Sequence, residues 1–82
     1  MKLEKKILKR LKETSQLNDY WKLKDFMIAD YGDTIKFSYI HGDMGIVDKI
    51  IFNKKDQLIE VYELDNYFGD TYLKSSLYLE DF

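Results

Sequence analysis

The sequence predicts an α+β fold, an N-terminal amphipathic helix packed on a four- or five-stranded antiparallel β-meander. Three observations carry this expectation. Apolar residues near the N-terminus recur at helical spacing, those from about residue 22 onward recur at strand spacing, and the turn signals between the later runs are very short. Connections of that length leave neighbouring strands no choice but to run antiparallel. At 82 residues without a cysteine, the chain is expected to form one domain with no disulfide to staple it.

The helix is placed over residues 2–16. Leu3, Ile7, Leu8 and Leu11 fall on one face at i, i+4, i+5 and i+8, and at about 100° per residue the basic side chains take the opposite arc. The pattern fades at Thr14-Ser15-Gln16, and Asn18 offers a stop signal. The first strand is read over about 22–31, ending at Tyr31-Gly32-Asp33. The second, 34–41, alternates Ile35, Phe37 and Tyr39 against Lys36 and Ser38. After a loop at His41-Gly42-Asp43-Met44-Gly45, the third strand, 46–53, sets Ile46, Ile50 and Phe52 against Val47 and Ile51. The fourth follows the turn at Asn53-Lys54-Lys55-Asp56 and covers 57–64.

The last eighteen residues, DNYFGDTYLKSSLYLEDF, combine five aromatics and three leucines with four acids and a single Lys74. As a helix, their apolar residues scatter around the wheel. As a strand over 72–79, Leu73, Leu77 and Leu79 share one face and Tyr72, Tyr78 and Phe82 the other. A fifth strand is therefore expected, a short C-terminal helix being its rival. Several strands carry apolar residues on both faces, whereas one face of an antiparallel sheet can remain polar and wet. Something is expected to cover the second face.

Catalytic and metal chemistry find little support. His41 is the only histidine, and Ser38 and Asp43 lie near it in sequence. A nucleophile, base and orienting acid are normally assembled from distant segments rather than one hairpin. Asp30, Asp33, Asp43 and His41 lack the spacing of a calcium loop or the cysteines of a zinc site, and turn chemistry explains them. No catalytic, cofactor or metal residue is assigned, and no enzyme activity is expected. No segment has the roughly 20 apolar residues of a membrane span, and a cytoplasmic location is expected.

Charge is more informative. The formal net charge is −2, but residues 1–13 carry six basic against two acidic side chains, while residues 57–82 carry one basic against six acidic. The C-terminal end joins tyrosine and phenylalanine, which dominate buried interface centres, to a rim of carboxylates that would steer a basic partner. The expected partner-binding set is Glu63, Asp65, Tyr67, Phe68, Asp70, Tyr72, Tyr78, Glu80, Asp81 and Phe82. An alternative is nucleic-acid binding through Lys2, Lys5, Lys6, Lys9, Arg10 and Lys12 on the helix, against which the acidic pI near 5.3 argues. A further alternative is a structural homodimer or larger homo-oligomer formed through the half-apolar sheet face.

In size, class and charge the chain resembles the small inhibitors of phages and mobile elements, such as anti-CRISPR proteins, and the immunity proteins that neutralise toxic nucleases. The resemblance implies a non-enzymatic inhibitor that blocks a nucleic-acid-handling protein, with a basic nucleic-acid-binding groove as the surface it would occupy. It transfers no residue roles.

Overall fold

The computed structural model describes residues 2–39, 47–64, 69 and 71–80. Helix α1, Leu3–Glu13, is followed by a short 3-10 turn, Leu23–Asp25. Five strands come next: β1 (Phe26–Asp30), β2 (Thr34–Tyr39), β3 (Val47–Asn53), β4 (Leu58–Leu64) and β5 (Thr71–Tyr78). They form one antiparallel sheet in sequential order, with β1 and β5 at its edges. The fold is α+β with a five-stranded meander, and the C-terminal segment is a strand rather than a helix.

Helix α1 stops earlier than its sequence pattern suggests, and its termination is visible in the backbone. Ser15 adopts a left-handed φ of 62°. Its N–H bonds the Lys12 carbonyl at 3.1 Å, and the Gln16 N–H bonds the Leu11 carbonyl at 2.8 Å. This nested pair of bonds is the Schellman arrangement that closes a helix C-terminus, and the Thr14 hydroxyl adds a bond to the Arg10 carbonyl at 2.9 Å. The position normally takes glycine because a Cβ is strained there. Ser15→Gly is therefore expected to raise stability by roughly 0.5–1 kcal/mol, read as a higher urea midpoint with an unchanged slope.

The first strand is also shorter than its predicted 22–31. Asp25 Oδ2 accepts the Lys22 N–H at 2.8 Å, and the Asp25 N–H bonds the Lys22 carbonyl at 2.9 Å. This turn holds 22–25 out of the ladder until Phe26. At the other end of β1, Gly32 takes a φ of 94° that a side chain would disfavour.

One face of the sheet carries the core. Phe26, Ile35, Phe37, Ile50, Phe52, Ile59 and Val61 are buried there against Ile7, Leu8 and Leu11 of α1, with Leu17, Trp21 and Leu79 closing the periphery. Cross-strand registers explain the alignment: Ile35 faces Phe52, and Phe37 faces Ile50. Phe52 in turn faces Ile59, and Ile50 faces Val61. Trp21, Phe26 and Phe37 form a chain of tilted and edge-on ring contacts with centroids 5.9 and 6.0 Å apart. The Arg10 guanidinium donates from Nε to the Tyr78 carbonyl at 3.1 Å, tying the helix to the end of β5.

Two register shifts interrupt the strand alternation. One lies between Val47 and Lys49. The other lies opposite Val61 and Tyr62, where β5 advances from Ser75 to Leu73 and leaves Lys74 as the additional residue. The second shift corrects the expected division of the tail. Tyr72 pairs with Glu63 and lies on the helix-side face, whereas Leu73 pairs with Tyr62 and Tyr78 with Leu58 on the opposite face. A bulge exchanges the faces of every residue beyond it, so Leu73 and Leu77 separate, as do Tyr72 and Tyr78.

Candidate functional site

The face of the sheet turned away from α1 is a three-row grid set by the strand registers. The first row runs Met27, Ser38, Lys49, Tyr62 and Leu73. The second runs Ala29, Lys36, Ile51, Glu60 and Ser76. The third joins Thr34, Asn53, Leu58 and Tyr78. Its apolar members concentrate over β3–β5, where Ile51, Leu58, Tyr62, Leu73 and Tyr78 surround Glu60. Its cations, Lys36 and Lys49, lie toward β2 and β3.

No described element covers this grid. Tyr78 is 54% exposed, Leu73 48% and Met27 64%, while Ile51, Leu58 and Tyr62 are half-buried by their neighbours. The Lys49 ammonium lies 5.1 Å from the centre of the Tyr62 ring, within cation–π range. The Tyr62 hydroxyl donates to Glu60 Oε2 at 3.4 Å, and burial with the adjacent carboxylate pushes the phenol above its ordinary value. Lys49, Tyr62 and Glu60 thus form a chain of contacts that restrains the Tyr62 ring. The result is a partly aromatic platform whose central ring, Tyr62, is already restrained, which lowers the entropic cost of ordering that side chain on contact.

The edge strand β5 has a second constellation on its other side. Glu63 is 7% exposed. Its Oε1 pairs with the Lys74 ammonium at 2.9 Å, and its Oε2 accepts the Tyr72 hydroxyl at 2.9 Å. Burial pushes the Glu63 carboxyl up, but the hydrogen bonds from Lys74 and Tyr72, with the Lys74 charge, outweigh it and hold the group below its ordinary value. The expectation that Glu63 is an exposed rim charge is therefore corrected. It is a buried, paired carboxylate that fixes the bulge. An inward charge and a bulge are also devices by which an edge strand resists adding another strand.

Of the remaining residues expected at the partner surface, Tyr72 and Tyr78 are exposed on opposite faces of β5, and Glu80 is exposed after it. Asp65, Tyr67, Phe68, Asp70, Asp81 and Phe82 lie outside the described residues, as do His41 and Asp43. The residues that sequence reasoning missed are Leu58, Glu60, Tyr62 and Leu73. A usable signal was present: Leu58, Glu60 and Tyr62 alternate with the core residues Ile59 and Val61.

Along α1, Lys2, Lys5, Lys6 and Lys9 are exposed and Lys12 is half-buried. Lys9 pairs loosely with Glu13 at 3.8 Å, and Arg10 is turned onto Tyr78. The helix cations therefore do not act as one uniform set.

Among the aspartates weighed as metal ligands, Asp30 accepts the Gly32 N–H at 2.9 Å and the Lys54 ammonium at 2.9 and 3.0 Å. The Gly32 bond first and the Lys54 bond second hold its carboxyl below the ordinary value. Among the described residues no group of three or more potential ligands could hold a metal ion, and no helix is long and apolar enough to cross a membrane. No protein-family model, curated protein or solved structure matches the chain.

Proposed function

We propose that this protein is a non-enzymatic binding module that inhibits a partner protein by covering part of its surface. The observation that carries the reading is the open aromatic platform over β3–β5. Tyr62 with Leu73, and Leu58 with Tyr78, flank Glu60 and Ser76 there, on a sheet whose opposite face supplies the core. Apolar groups that are dispensable for the fold and pre-ordered by their neighbours are what a contact surface requires. The partner version that best suits the C-terminal excess of carboxylates is a cytosolic nucleic-acid-handling protein, whose basic groove Glu80 and the neighbouring acids would approach. That is the mode of action of the phage anti-defence and nuclease-immunity proteins that the chain resembles.

Affinity capture from lysate of the native host, after nuclease treatment, tests the reading with a Leu73→Ser/Tyr78→Ser variant alongside. The wild type is expected to retain one foreign protein at near-equal stoichiometry, with at least tenfold less on the variant, since interface anchor side chains typically contribute about 1–2 kcal/mol each. The unfolding midpoint should stay close to the wild type's. Recovery of only further copies of the same chain would turn the platform into a self-interface, and equal capture by the variant would remove it from the binding surface.

A further inference from the structure

On the helix side of the molecule, remote from the open sheet face, α1 and the segment before β1 enclose an open groove of about 530 Å³. The half-buried Leu23 supplies its apolar side chain, and Leu8, buried in the core, lies at its floor. Lys5, Lys9 and Lys12 border it along two turns of α1, and Lys22 borders it from the other side. Glu13 and Asp19 also line it. Glu13 is engaged with Lys9. Among the described residues, no carboxylate lies within ion-pair distance of Lys5, Lys12 or Lys22. With Lys9 and Glu13 paired and Asp19 set against the other three lysines, the groove lining carries a net excess of two positive charges beside an apolar side chain.

We infer that this groove is a second binding site, and that its ligand is an acidic peptide segment of a partner protein with at least one large aliphatic or aromatic side chain. The cations call for negative charge, and the Leu23 side chain above the Leu8 floor calls for an apolar anchor. Lys5 and Lys12 are separated by about 10 Å along the helix axis, a distance spanned by three residues of extended chain at roughly 3.3 Å each. Carboxylates on both flanks of a pair of apolar residues, three positions apart, can therefore meet both lysines at once. A nucleic-acid strand suits the groove less well. Glu13 and Asp19 would face its phosphates, and among the described residues no aromatic ring lines the groove to stack on bases.

The test is fluorescence anisotropy with a short labelled peptide in which pairs of leucines are separated by single aspartates, run on the whole protein at low and at physiological salt. A peptide with serines in place of the leucines and a labelled oligothymidylate serve as comparison probes. Lys5→Glu/Lys12→Glu/Lys22→Glu is expected to weaken binding of the leucine peptide by about tenfold or more. Lys5→Gln/Lys12→Gln/Lys22→Gln should give a smaller loss in the same direction and guards against misfolding of the reversed variant. The serine peptide should bind several-fold more weakly than the leucine peptide. The inference is overturned if the leucine peptide fails to bind, if binding ignores both lysine variants, or if oligothymidylate binds as tightly. Concentration-dependent self-association lost in the lysine variants would assign the groove to a second copy and likewise overturn it. These results are independent of the platform variants Leu73→Ser and Tyr78→Ser.

Discussion

Phe37→Ala is expected to lower the unfolding free energy by about 3–5 kcal/mol. Phe37 is fully buried, sits on β2 between Ile28 and Ile50, and meets Phe26 edge-on at 6.0 Å. Removing it deletes a ring from the middle of a core that has one helix for a lid, so the cavity cannot close by a small shift of a neighbouring layer. A domain of this length has a total stability of roughly 4–12 kcal/mol, and the variant should be partly unfolded at 37 °C. Urea denaturation followed by tryptophan fluorescence reads the change, with Trp21 within the same aromatic chain as reporter. A loss below about 1 kcal/mol would mean that the core does not depend on Phe37.

Lys74→Ala is the second large effect. It strips one partner from the buried Glu63 carboxylate and leaves the Tyr72 hydroxyl as its remaining side-chain donor. Unpairing a buried charge is costly, but the Lys74 side chain is 41% exposed and water can replace part of it, so about 1–3 kcal/mol is expected near neutral pH. The pH dependence has a definite sign. The folded pKa of Glu63 lies below its ordinary value of 4.5, so its contribution is fully present above that pH. It is lost as pH falls through the lowered folded value. The stability gap between wild type and Lys74→Ala should therefore narrow on acidification from pH 6 to pH 3. A gap independent of pH over that range would show that Lys74 stabilises the bulge by packing alone.

These effects also show what was readable in the sequence. The helix and the meander follow from local periodicity: Ile7, Leu8 and Leu11 mark a helical stripe, and Ile35 and Phe37 mark a strand with one buried face. A bulge has no comparable local signature, because it is a property of two strands in register rather than of either alone. The Lys74 bulge therefore divided Tyr72 from Tyr78 against the simple alternation. It also brings Tyr72 opposite Glu63, which lies on the helix-side face by its own alternation with Ile59 and Val61. The end of α1 was misplaced for a related reason, since Ser15 takes the left-handed position without the glycine that would announce it. The platform itself was half legible: two-sided apolar strands predicted a half-apolar second face with something to cover it, but its centre at Tyr62 and Leu73 depended on the register between β4 and β5.

The central claim is that the open face over β3–β5 is a contact surface. Hydroxyl-radical footprinting of the free protein and of its captured complex tests it most directly, because exposed tyrosine, methionine and leucine side chains report their own accessibility. The account predicts that oxidation of Tyr78 and Leu73 falls several-fold in the complex, while Tyr20 and Tyr31, each exposed by about two thirds in the free chain, continue to react. Protection of Tyr20 or Tyr31 with Tyr78 and Leu73 unchanged would contradict it.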